Sequence, residues 1–209
     1  MDTTDYSVNQ LVAELKAISA ESKSERETLT RVRPLARRAA FSKIGWLKNH
    51  MYQADPDQGL GLHLLHEESD HTLAVFAVSW LPNRGTPPHD HGTWAIVAGV
   101  DGPEKNEFFQ RVDDRARPGY AKLKKIGEKL FEIGDVIAMP TGTIHSVWNE
   151  TDKVTLSLHI YGKHINFTGR SKFDLEKQTE TPFVLKIAKT MTMNEAEPGT
   201  ERGRPKRRC

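Results

Sequence analysis

Gly85-Thr86-Pro87-Pro88-His89-Asp90-His91 is the stretch from which the fold of this chain is read outward. Histidines two residues apart on extended backbone project from one face, so both imidazoles meet the same space. Such a pair starts a metal site, but it is also how surface or hydrogen-bonded histidines look. A second segment further along combines a strand, a Pro/Gly turn and a third histidine: Gly134, Pro140, Gly142, His145 and Asn149.

The surroundings of these two segments read as short strands. Leu62–Glu67, Thr72–Trp80, Trp94–Val100, Glu104–Val112, Lys122–Ile126, Val136–Met139, His145–Asn149 and Val154–Tyr161 carry strand patterns. Turn residues separate them at Pro82–Gly85, Asp101–Pro103, Pro118–Gly119, Ile133–Asp135, Pro140–Gly142 and Asn149–Asp152. Many short strands with frequent turns specify an antiparallel sandwich or barrel. A further strand is expected near Phe183–Ile187. The N-terminal fifth reads as helix. Leu11, Val12, Leu15 and Ile18 recur at helical spacing, with Ser7 or Asn9 as cap. A second helix is expected over Glu25–Ala40, interrupted or restarted at Pro34, and a third over Phe41–Met51.

The His-x-His segment and the Gly134–Asn149 segment resemble the two sequence motifs of the cupin superfamily. That resemblance implies a double-stranded β-helix, a jelly-roll barrel, preceded by N-terminal α-helices. It also implies a metal held by His89, His91 and His145. Many cupins add a glutamate ligand shortly after the His-x-His, but Gly92-Thr93-Trp94-Ala95-Ile96-Val97 holds no carboxylate here. Three neutral imidazoles leave the full metal charge in place. Imidazole suits iron, zinc, copper and nickel alike, so ligand type alone does not choose the metal.

Val154-Thr155-Leu156-Ser157-Leu158-His159-Ile160-Tyr161-Gly162 alternates polar and apolar residues, so Ser157, His159 and Tyr161 share one strand face. That face points into a barrel or out to water. After the second motif, Ser-x-His-x-Tyr resembles the thiol dioxygenases of the cysteine dioxygenase family, especially bacterial members such as 3-mercaptopropionate dioxygenases. The resemblance runs from about His63 to Asp174. It implies one iron(II) ion, Fe(2+), on His89, His91 and His145, with Ser157, His159 and Tyr161 as a hydrogen-bonded triad beside it. The reaction implied is the addition of O2 to the sulfur of a small thiol, giving a sulfinate.

Two departures from that family matter. The cysteine that crosslinks to the relay tyrosine in animal enzymes has no counterpart, the matching position being about Ile96, so Tyr161 is expected uncrosslinked. The family's carboxylate-binding arginine or glutamine is missing from Gly61-Leu62-His63-Leu64-Leu65-His66. His63 is the local substitute, or a structural histidine. Arg170 matches an arginine of bacterial members and either binds the substrate carboxylate or anchors its loop to an acid such as Asp174. Trp94 either lines the pocket or packs in the core. The same residues also fit a different metal-dependent cupin enzyme, or a cupin that binds a metal or small ligand without catalysis.

Composition bounds the rest. The 209 residues suit one domain, divided as a helical segment (1–55), a cupin domain (56–190) and a disordered basic tail (191–209). The net charge is +2, and five Lys/Arg in Thr192–Cys209 account for the excess, leaving 25 basic and 25 acidic residues elsewhere. A neutral body gives no footprint for nucleic acid. No apolar run approaches the roughly 18 residues of a membrane span. Met1–Asp5 lacks an apolar leader, and the single cysteine, Cys209, cannot form an internal disulfide, so a cytoplasmic location is expected.

Overall fold

The computed structural model describes residues 6–188; the expected tail lies outside them. Two helices come first, α1 (Val8–Glu21) and α2 (Glu25–Phe41). Eleven strands follow among the described residues: β1 (Leu60–Glu67), β2 (Thr72–Trp80), β3 (Arg84–Gly85), β4 (Ala95–Asp101), β5 (Glu104–Arg111), β6 (Leu123–Phe131), β7 (Val136–Met139), β8 (Ile144–Asn149), β9 (Thr155–Lys163), β10 (Ser171–Asp174) and β11 (Thr179–Pro182).

Both helices form for local reasons and stay for packing. Ser7 caps α1 in a capping box, its hydroxyl accepting from Gln10 N–H while the Gln10 side chain accepts from Ser7 N–H. Leu11, Val12, Leu15 and Ile18 are the buried face, as their spacing requires. α2 runs through Pro34 without a break, contrary to the expected interruption. A helix-interior proline costs about 3 kcal/mol. Burial of Leu29, Val32, Ala36, Ala39 and Ala40 on the same helix offsets it. The expected third helix is instead two short 3-10 turns, Lys43–Gly45 and Asn49–Tyr52.

The strands wind into a double-stranded β-helix with N-terminal helices, the cupin architecture. One sheet runs β1-β2-β9-β4-β7 and the facing one β3-β8-β5-β6. From β4 onward the chain passes back and forth between them, so every pairing within the five-stranded sheet except β1–β2 joins strands distant in sequence. The five-stranded sheet is covered on both faces. In β2, Leu73, Val75 and Ala77 join the cluster under α1 and α2, while Ala74, Phe76, Val78 and Trp80 join the barrel interior. Double coverage is why β2 reads as a continuous apolar run. β6 extends to Phe131, beyond the expected end at Ile126. It is an exposed edge whose Lys124, Lys125 and Lys129 discourage pairing with another sheet.

After β9 the chain corrects another expectation. Residues 183–187 form no strand; the hairpin partner is β11, paired with β10. The following segment crosses the barrel mouth as a strap. Asn166 holds Leu185 through both backbone groups, Gln58 holds Lys186 in the same way, and Ala188 N–H donates to Leu62 O at 2.8 Å on the β1 edge.

Candidate metal centre

The segment carrying His89 and His91 is not a regular strand, because Pro87 and Pro88 offer no amide hydrogens to a ladder. His89 is nevertheless locked to His145 by a reciprocal pair of backbone hydrogen bonds, at 2.8 and 3.0 Å. Gly92 then turns the chain at φ +63°, close against Thr168, where a side chain would be strained and crowded. Asp90 faces away from the two rings, as alternation requires, and accepts from Ser171 N–H at 2.9 Å. That contact ties the His-x-His to the loop carrying Arg170.

The three rings converge. Their ligand atoms all lie within 4.8 Å of one another, and all three residues are buried. Nε2 of His145 and Nε2 of His91 are 3.3 Å apart. Adjacent ligands at metal–nitrogen bonds of about 2.1 Å sit about 3.0 Å apart, so little adjustment is needed. Two rings have the other nitrogen committed. His89 Nδ1–H donates to Pro87 O at 2.9 Å, and His145 Nδ1–H donates to Asn106 Oδ1 at 3.0 Å. Each is thereby held in the tautomer that presents Nε2 as a lone pair. Burial, then the neighbouring histidines and Arg170, holds His89 and His91 well below the ordinary histidine range; burial and Arg170 bring His145 down to about 3. All three stay neutral donors at physiological pH. A divalent ion fits this donor set, and no carboxylate joins the cluster among the described residues.

Beside it runs a hydrogen-bonded line on β9. His159 Nδ1 and the Tyr161 hydroxyl are 2.7 Å apart, and His159 Nε2 and Ser157 Oγ 2.9 Å. Trp80 Nε1–H donates to Ser157 Oγ at 3.1 Å. The polar face of β9 therefore points into the barrel, with all three side chains buried. The Tyr161 ring stands 5.1 Å from that of His91. Burial raises the Tyr161 phenol and lowers His159 to about 3, so both are neutral.

Arg170 enters the cavity from the loop after β9. It is 4% exposed, lies 4.3 Å over the Phe183 ring, and donates from Nε to Phe183 O at 3.1 Å. Its Nη2 is buried with no hydrogen-bond partner. Burial lowers it to about 10, so it remains a cation. Asp174 does not pair with it; Asp174 lies near Lys177 instead.

Two expected pocket residues face elsewhere. Strand alternation sends Leu60, Leu62 and Leu64 into the barrel and His63 to the opposite side, where its Nε2 bonds Gln53 O at 2.8 Å. Trp94 packs against the helical cluster, its indole closing over Gly162, away from the histidines. Asn149, a motif residue without an assigned role, anchors the turn after β8 by donating to Trp80, Leu81 and Lys153 carbonyls. Asn106, on the barrel-facing side of β5, was the missed partner of His145. Its only signal is that it recurs two residues after Glu104.

No family model matches the chain. Similar solved structures include an oxalate oxidase in complex with glycolate, at 14% identity and TM-score 0.42, covering 56% of this chain and 59% of that one. KdgF from Halomonas sp. is 16% identical at TM-score 0.41, covering 56% and 92%. A cupin superfamily protein from Desulfitobacterium hafniense is 15% identical at TM-score 0.38, covering 54% and 84%. This chain thus spans about three fifths of the oxalate oxidase length. No helix among the described residues is long and apolar enough to cross a membrane.

Proposed function

We propose that this chain is an iron(II)-dependent thiol dioxygenase that converts a small thiol carboxylate and O2 to the sulfinate, both oxygen atoms ending on sulfur. The observation that carries the reading is the buried Tyr161–His159–Ser157 line ending beside three neutral histidines. A cupin that only sequesters a metal has no use for a phenol held by a neutral imidazole.

His89, His91 and His145 would hold the ion, which when bound favours the thiolate form of a substrate and supplies the redox partner for O2. The protein's own groups do the rest. Arg170 offers an unpaired, desolvated donor, and a substrate carboxylate is the partner that would satisfy it. Tyr161 stays protonated and can donate a hydrogen bond to the reacting atoms, while His159 fixes its direction. Leu60, Leu62 and Leu185 wall the cavity and exclude water. Among the described residues, the lining contains no acidic residue to receive a substrate ammonium. That favours 3-mercaptopropionate or another amine-free thiol carboxylate over cysteine.

Anaerobic loading with iron(II), followed by oxygen uptake across a panel of thiols, tests the reading. The expected result is uptake with an amine-free thiol acid and a sulfinate detected by mass spectrometry. Stoichiometric iron without thiol-dependent uptake would sink the proposal.

A further inference from the structure

Beyond Ser157 the line on β9 meets a buried carboxyl. Glu104, the first residue of β5, is 3% exposed, and its carboxyl neighbours the hydroxyls of Ser157 and Thr155, of which Thr155 Oγ1 is itself buried without a hydrogen-bond partner. Its Oε1 is buried without a hydrogen-bond partner. The groups facing it are those two hydroxyls from β9 and, across the strand pair, Phe131 of β6. Among the described residues no charged side chain acts on it. The adjacent Lys105 reaches outward to Glu150. A lone carboxyl in such surroundings keeps its proton, and burial pushes Glu104 up to about 8.

Counting hydrogens along the line gives Glu104 a role. Trp80 can only donate, so it occupies one lone pair of Ser157 Oγ. A serine hydroxyl has one hydrogen and a second lone pair to divide between His159 and Glu104. Neutral His159 has one hydrogen for two nitrogens. If Glu104 donates to Ser157, then Ser157 donates to His159 Nε2, and His159 Nδ1–H donates to the Tyr161 oxygen. The Tyr161 hydrogen is then free to point at the histidine cluster. If Glu104 is a carboxylate, Ser157 donates to it, His159 Nε2–H donates to Ser157, and Tyr161 donates back to His159 Nδ1. In that state the phenol offers the site only an acceptor.

We propose that Glu104 is the positioning residue of this relay, its proton setting the His159 tautomer and, through it, which way the Tyr161 hydroxyl donates. The inference rests on the dioxygenase reading for its catalytic meaning, though not for its structural content.

Nitrogen-15 NMR of the histidine rings in the metal-free chain reads the tautomer directly. Wild type is expected to carry the His159 hydrogen on Nδ1 at neutral pH and on Nε2 above about pH 8. Glu104→Gln, whose amide still donates, is expected to keep Nδ1–H throughout. Ser157→Ala, which cuts the line, should make the tautomer insensitive to pH even if Glu104→Gln folds poorly. A wild-type tautomer that ignores pH, or a switch that persists in either variant, overturns the proposal. In the iron-loaded enzyme, thiol-dependent uptake should fall on the alkaline side in wild type, and Glu104→Gln should remove that limb. Absence of uptake with every thiol would remove the dioxygenase reading, while the NMR result still decides the role of Glu104.

Discussion

The two faces of β9 are buried side by side and built on different chemistry. Leu156, Leu158 and Ile160 press into the cluster under α1 and α2, whereas Ser157, His159 and Tyr161 form one hydrogen-bonded line inside the barrel. Both faces are fully buried, so exposure does not distinguish them. What differs is how each is held. The apolar face depends on area and volume, which many side chains could supply. The polar face depends on each donor meeting one acceptor, and a single lost partner leaves a desolvated group behind.

Substitutions can break this comparison or sharpen it. The largest effect belongs to the ligands beside the polar face. His145→Ala should take metal content from one ion per chain to near zero by elemental analysis, and full retention would separate His145 from the metal site. On the apolar face, Ile160→Ala should cost about 2–5 kcal/mol in chemical unfolding while folded protein still binds metal. Loss of metal at unchanged stability would show that the faces are not independent. Tyr161→Phe should do the reverse, lowering thiol-dependent turnover by about 100-fold with a stability change near 1 kcal/mol. Asn106→Ala should weaken metal binding by about 10- to 100-fold in a competition titration, by releasing the His145 ring.

The last expected effect is one of pH. His145 and His159 titrate near 3 when folded, against an ordinary 6.5. Between those values the unfolded chain binds protons that the folded chain refuses. Stability of the metal-free protein should therefore fall as pH drops below about 6.5, by at most about 1.4 kcal/mol per pH unit for each histidine. Urea midpoints on either side of that pH measure it, and a flat profile would mean that these rings are not held neutral by burial.

Much of this was legible in the sequence because it is local. Period-two alternation identifies the Ser157-His159-Tyr161 face, and a metal site needs only residue types at the right spacing. The same parity rule would have excluded His63, since Leu60, Leu62 and Leu64 claim the barrel side of β1. Trp94 is harder, because the segment before β4 is irregular and gives no face to count from. Arg170 was legible only as one of two alternatives; its loop geometry shows no ion pair with Asp174 and leaves Nη2 without a hydrogen-bond partner. Glu104 and Asn106 were not legible as partners of the site. Glu104-Lys105-Asn106-Glu107 reads like a solvated edge strand, and only the winding of the barrel turns its alternate residues inward beside β9 and His145.

The strap over the barrel mouth covers two surfaces at once, the cavity and the outer edge of β1. Its Leu185 lines the cavity and its Phe183 stands 5.2 Å from the His89 ring, while Ala188 occupies the Leu62 carbonyl on the outer edge of β1. Lifting it far enough to admit a substrate along that side would bare part of an edge strand, the kind of surface on which chains join one another. A tightly fastened strap slows exchange of small molecules; a loose one invites aggregation. The paired grips of Asn166 and Gln58 hold the segment on both sides of that compromise.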